Sequence, residues 1–108
     1  MRMWMVNPEI LCRQHLLGEH LECHMFAGTI KKGISISGYI RNNCCEPKAI
    51  QSRHNSLAKE MERRKYNHKS DLVLSCDMDG EVDSKKSLKD LISRCKECER
   101  RKNDSKYL

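Results

Sequence analysis

The stretch Asn7-Pro8-Glu9-Ile10-Leu11-Cys12-Arg13-Gln14-His15-Leu16-Leu17-Gly18-Glu19-His20-Leu21-Glu22-Cys23-His24-Met25-Phe26-Ala27-Gly28-Thr29-Ile30-Lys31-Lys32-Gly33 decides the fold. Asn7 is a good N-cap, because its side chain can accept from the free N–H groups of a first turn. Pro8 suits the first helical position and Glu9 favours the positive end of the helix dipole. Ile10, Leu11, Gln14, Leu17, Leu21, Met25 and Gly28 recur at steps of three and four, which is the period of one helical face. Gly33 stands where a helix would close. The spacing therefore predicts one long helix from Asn7 to about Lys32, with its apolar stripe at the centre of the fold.

Outward from this helix, Ile34-Ser35-Ile36-Ser37-Gly38-Tyr39-Ile40 alternates like a strand, but no partner strand is evident, so a brief helical turn is expected there. A second helix is predicted from Pro47 to about Lys65. Ile50, His54, Leu57, Ala58 and Met61 lie on one face of it, and Arg53, Lys59, Glu60, Glu62 and Arg63 on the other. A polar connection containing Asp77, Asp79 and Gly80 follows. Asp83 or Ser84 can then cap a third helix to about Lys102, with Leu88, Leu91, Ile92 and Cys95 as its stripe. Asn103-Asp104-Ser105-Lys106 reads as a frayed tail. The expected architecture is all-α, a single compact domain over residues 1–108 with three main helices and short connecting turns.

Composition narrows the function classes. A chain of 108 residues allows one domain and a modest core. No window approaches the roughly 20 apolar residues needed to span a bilayer, and Met1-Arg2-Met3-Trp4-Met5-Val6 lacks the apolar run of a secretory signal, so a soluble, intracellular (cytoplasmic) protein is expected. Lys and Arg number 21 against 15 Asp and Glu, a net charge of +6 that suits an acidic partner such as nucleic acid. Aromatic residues make up only 5%, too few for the stacking platform of a single-strand binder. Seven cysteines, an odd number without an export signal, argue for reduced thiols rather than a disulfide framework.

Titratable groups concentrate on the first predicted helix. His15, Glu19 and Glu22 fall at i, i+4 and i+7 on one face, where a carboxylate beside an imidazole could act as a general base or stabilise a transient cation. The plain alternative is a solvated Glu–His pair. His20 and His24 form a separate i, i+4 pair, but a zinc protease motif would need a glutamate next to the first histidine and a third ligand, so metal catalysis is not expected there. Arg53, His54, Lys59, Arg63, Arg64, Lys65 and Lys69 would supply a general DNA footprint on the second helix and its exit, against the alternative of a solvated face partly neutralised by Glu60 and Glu62. Cys95-x-x-Cys98 is the one spacing that suggests a metal. Cys76 precedes it, and His68, Cys44 or Cys45 could complete a set, but reduced cysteines packing a helix onto the core is the favoured reading.

Several motifs together carry a resemblance. Met1-Arg2 leads into Gln14-His15-Leu16-Leu17-Gly18-Glu19-His20-Leu21-Glu22. Glu46-Pro47, Ser52-Arg53-His54-Asn55-x-Leu57 and Glu60-Met61-x-Arg63-Arg64-x-Tyr66-Asn67-His68 follow. This pattern resembles the pyrimidine-dimer DNA glycosylases of the phage endonuclease V type, over residues 1–70. Residues 71–108 diverge. The resemblance implies a compact helical DNA repair enzyme that excises pyrimidine dimers or related damaged pyrimidines and then cleaves the abasic strand as a lyase, acting on double-stranded DNA as a monomer without a cofactor.

Counted back without a gap from Gln14-His15-Leu16, the family's amino-terminal nucleophile falls on Met1, its neighbouring arginine on Arg2 and its catalytic glutamate on Glu22. Arg2 is too large for the initiator methionine normally to be removed, so Met1 is expected to remain. The chemistry suits the assignment, since an α-amine titrates at about 7.7–8.0 against about 10.4 for lysine and is partly neutral near pH 7. Arg2 and His15 would hold phosphate or sugar beside the lesion, and Trp4 is expected to pack in the core. The sequence departs from the family where Leu21 and Met25 or His24 replace arginines that clamp kinked DNA, and where a Cys-containing helix replaces an aromatic-rich tail. A non-catalytic basic DNA-binding or interaction module, with or without structural zinc, is the rival reading. A third, a helical protein that binds another protein, predicts no salt-dependent affinity for DNA.

Overall fold

The computed structural model describes residues 1–104, so Ser105 and Lys106 of the predicted tail lie outside the described residues. These residues are all-α, without a strand. Asn7 caps as expected, its Oδ1 accepting from the Glu9 N–H at 3.0 Å, but the turn it starts is a short 3-10 helix, Pro8–Ile10. The chain breaks at Leu11 and restarts as α1, Arg13–Lys31. The predicted single helix is therefore two elements, because Cys12 adopts an extended backbone and its sulfur caps the new first turn. Gly33 closes α1 in the left-handed region, with φ of 73°.

The stretch 34–40 does form a helical turn, α2, Ser37–Arg41. A 3-10 turn at Pro47–Ala49 leads into α3, Ile50–Arg63, whose inward face of Ile50, His54, Leu57, Ala58 and Met61 is buried as its spacing predicts. Residues 64–83 run without regular structure. Asp83 then caps α4, Ser84–Arg94, by accepting from the N–H groups of Lys85 and Lys86. The predicted third helix is also divided. Cys95 is extended, caps α5 (Lys96–Asn103) with its sulfur, and turns the chain.

The core forms where α1 crosses α3, sealed by the amino-terminal segment: Met3, Leu11, Leu16, Phe26, Ile50 and Leu57 are wholly buried. The predicted stripe of α1 is shifted in register. Leu21 and Met25 are exposed, and the buried face is Leu16, Glu19, His20, Cys23, Phe26 and Ala27. Two polar residues can occupy that face because both find partners on α3. Glu19 accepts from Arg53 Nε at 2.6 Å and Nη2 at 2.9 Å, a bidentate pair with both side chains buried, while His20 packs against His54.

Candidate active site

The amino-terminal segment is pinned before it reaches the site. Met3 is fully buried, and its N–H donates to the Cys44 carbonyl at 2.6 Å. This anchor leaves Met1 and Arg2 at the mouth of a cleft of about 410 Å³ lined by Met1, Arg2, Trp4, Gln14, His15, Gly18, Glu19 and Glu22. The i, i+4, i+7 spacing on α1 does place His15, Glu19 and Glu22 along one wall, and the chain start supplies the other. The Arg2 N–H donates to Glu22 Oε2 at 3.3 Å, which fixes the carboxylate one residue from the α-amine. Trp4 is buried as expected, with the Arg2 guanidinium 3.7 Å above its ring and His15 edge-on at 5.8 Å.

Burial raises the Glu22 carboxyl above its ordinary value. The Arg2 N–H, the positive chain terminus and the Arg2 guanidinium oppose that rise, while Glu19 adds to it. His15 is pushed down by burial, with Glu19 pulling it partly back. A half-buried carboxylate whose proton affinity is raised, set beside a primary amine in an open cleft, can accept and return protons and can stabilise a neighbouring cation.

Arg2 is already engaged. Its Nη2 donates to Ser87 Oγ at 3.2 Å and its Nη1 lies 3.8 Å from Asp90, so α4 buttresses it from behind. The basic residues predicted on α3 divide into two groups. Arg53 is not a surface cation: besides Glu19 it donates from Nη1 to the Val6 carbonyl at 2.6 Å. Arg64 is bound by Glu60 at 2.7 Å and donates to the carbonyls of Pro8, Glu9 and Leu11, closing the end of the first 3-10 turn. These two arginines hold the fold together and are withdrawn from the predicted footprint. Arg63, although it pairs with Glu60, stays exposed, as do Lys59, Lys65 and Lys69.

His54 is likewise interior. Its Nδ1 meets Asn55 Oδ1 at 2.9 Å and its Nε2 meets the Ser70 carbonyl at 3.0 Å. His24 and His68 turn their Nε2 atoms to the same carbonyl, at 3.2 and 2.8 Å. The cluster completed by His20 is thus organised by hydrogen bonds around Ser70, and His20, packed among the other rings, has its pKa lowered to about 4 by burial and then by His54, His24 and His68. His20, His54 and His68 bring ring nitrogens within 4.8 Å of one another, and the Nε2 atoms of His54 and His68 are engaged by the Ser70 carbonyl.

The cysteines combine differently from the predicted set. Cys95 and Cys98 face Cys12 and His15 of the first segment. Cys76, offered as their third ligand, is not among them and lies instead near Cys45, whose thiol it helps to push up, and His68 belongs to the histidine cluster. The signal that could have found this grouping is the repeated spacing, Cys12-x-x-His15 matched by Cys95-x-x-Cys98.

Against known proteins, residues 1–74 match the family described as pyrimidine dimer DNA glycosylase. No curated protein and no solved structure matches the chain. Among the described residues, no helix is long and apolar enough to cross a membrane.

Proposed function

Because the chain belongs to the pyrimidine dimer DNA glycosylase family, we propose that it excises damaged pyrimidines from double-stranded DNA with the Met1 α-amine as nucleophile and Glu22 as the catalytic carboxylate. The observation that carries this reading is the cleft in which a half-buried Glu22, its proton affinity raised by burial, is tied to the N–H of the residue that follows the amine. The neutral amine attacks C1′ of the damaged nucleotide as the glycosidic bond breaks, and the base leaves with the bonding electrons and a proton. Glu22 stabilises the positive charge that develops on the sugar. Opening of the sugar ring, in which O4′ leaves C1′ and takes up a proton from water, gives an iminium joining Met1 nitrogen to C1′. Loss of a C2′ proton to Glu22 then expels the 3′ oxygen and cuts the strand, and water releases the enzyme from the remaining imine.

For the amine to reach C1′, the target or its partner must leave the base stack, which favours damaged and weakly stacked sites. His15 positions a flanking phosphate or sugar from the cleft wall. Arg2 reaches a phosphate by exchanging Asp90, the more distant of its two partners on α4. Arg63 and Lys65 add screening-sensitive contacts further out. The enzyme acts as a monomer inside the cell, where its DNA substrate is.

Borohydride trapping on two duplexes, one with a cyclobutane thymine dimer and one with an abasic site, tests this. Wild type should form a covalent adduct on both. Glu22→Gln should lose adduct on the dimer duplex by about 10²–10³-fold, and an amino-terminally extended chain should lose it on both. Absence of adduct on either duplex while binding persists would leave a non-catalytic DNA-binding module.

A further inference from the structure

We propose that Cys12, His15, Cys95 and Cys98 form a structural zinc site that ties the carboxy-terminal helices to the wall of the cleft. Zinc bonded at about 2.3 Å to sulfur and 2.0–2.1 Å to nitrogen, at tetrahedral angles, sets sulfur–sulfur edges near about 3.8 Å and sulfur–nitrogen edges near about 3.6 Å. Cys12 Sγ and Cys95 Sγ are 3.9 Å apart, and His15 Nδ1 lies 3.2 Å from Cys12 Sγ and 3.7 Å from Cys98 Sγ. All four ligand atoms fall within 4.8 Å of one another. Three sulfurs and one imidazole nitrogen in this arrangement select zinc over harder ions.

The backbone is built for thiolates at these positions. Cys12 Sγ accepts from the His15 N–H at 3.5 Å, Cys95 Sγ accepts from the Cys98 N–H at 3.5 Å, and Cys98 Sγ accepts from the Cys12 N–H at 3.2 Å. Two of these bonds place sulfur at the amino-terminal end of a helix, α1 and α5, in the same i to i+3 turn. Cysteine is a poor choice as a neutral cap, where Ser, Thr, Asp or Asn prevail, but a metal-bound thiolate there meets both N–H donors and the positive end of the dipole. A Cys₃His site carries one net negative charge. Arg13, Arg64 and Arg101 line the adjoining cleft with Cys12 and Cys95 against one carboxylate, Glu97, an excess of positive charge that offsets it.

The site joins residues 83–86 positions apart, linking the family-matched part of the chain to the part beyond it. Zinc on Nδ1 also leaves Nε2 of His15 as the protonated nitrogen, a fixed hydrogen-bond donor. That consequence for DNA rests on the proposed function, whereas metal binding does not.

The test is zinc content by mass spectrometry of the full chain, purified in reductant without chelator, with cobalt substitution as a second readout. Wild type should hold about one zinc per chain and, loaded with cobalt, give the thiolate charge-transfer and intense visible bands of a tetrahedral sulfur-rich site. Cys95→Ser and Cys12→Ser should lower metal content at least about tenfold, while Cys76→Ser keeps both metal and spectrum. Should the Cys12 and Cys95 variants fail to fold, the unchanged Cys76→Ser protein and the wild-type cobalt spectrum still decide. Wild type that carries no zinc and gives no cobalt spectrum on titration overturns the site, as does metal lost with Cys76 rather than with Cys95.

Discussion

The α1–α3 pair and the α4–α5 arm are held by different means. Where α1 meets α3, each helix buries a whole face, and the buried charge of Glu19 on α1 is matched by that of Arg53 on α3. The arm buries little: Ser87 and Leu91 from α4, Cys98 from α5. Yet two of those three residues touch the cleft's own machinery, Ser87 through Arg2 and Cys98 beside Cys12 and His15. The pair supplies stability and the arm supplies position, so damage to each should read out differently.

The largest effect is expected from Glu19→Gln, which leaves the Arg53 guanidinium buried without its counter-charge. Loss of about 3–5 kcal/mol in urea unfolding should follow, and a loss below about 1 kcal/mol would mean that the pair is not the structural centre argued above. Leu91→Ala should cost somewhat less, about 2–4 kcal/mol, because it opens a cavity under the arm. Amide exchange should accelerate across residues 84–103 while α1 and α3 keep their protection. Uniform acceleration through all helices would erase the distinction between the two regions.

Acid should act on the pair next. An unfolded histidine takes a proton near its ordinary value of 6.5, whereas His20 in the folded chain resists until about 4. The unfolded state therefore binds the extra proton throughout that window, and stability present above 6.5 is lost as pH falls toward 4, by about 2–3 kcal/mol. Denaturant midpoints at several pH values, with His20→Gln as the flattened control, measure it; parallel slopes for the two proteins would assign the acid sensitivity elsewhere. The smallest change is a gain. Burial raises the Glu22 pKa, so at neutral pH the folded state carries the cost of its charge. Glu22→Gln should leave stability unchanged or improve it by up to about 1 kcal/mol, with the gain vanishing in acid. A clear destabilisation would make Glu22 a structural residue like Glu19.

The helical period was enough to read the fold class, the α3 face and the caps at Asn7 and Asp83, because those signals are local. The register of α1 was not legible, since an apolar pattern treats Glu19 and His20 as surface residues and cannot see Arg53 and His54, which neutralise and pack them from 34 residues away. The two helix breaks were missed for one reason: Cys12 and Cys95 act as caps, while a sequence pattern counts cysteine as a small hydrophobe. At the cleft, Met1, Arg2, His15 and Glu22 came from the family resemblance and do converge. Arg53, His54 and Arg64 were misjudged because a charge on a helix looks alike whether it faces water or another segment's carbonyl groups.

One contact bears on how the molecule is made. Arg101 donates to the Glu9 carbonyl at 2.7 Å, joining residues 92 apart, at the same 3-10 turn that Arg64 already closes. Closing so long a loop adds only a logarithmic entropy cost at equilibrium, but a contact this distant in sequence forms late. During synthesis α1 and α3 leave the ribosome well before α5 and can pair first. The hydrogen bond behind Arg2 and the four-residue sulfur and imidazole cluster are completed only when the arm docks, so the cleft takes its final form after the α1–α3 pair rather than with it.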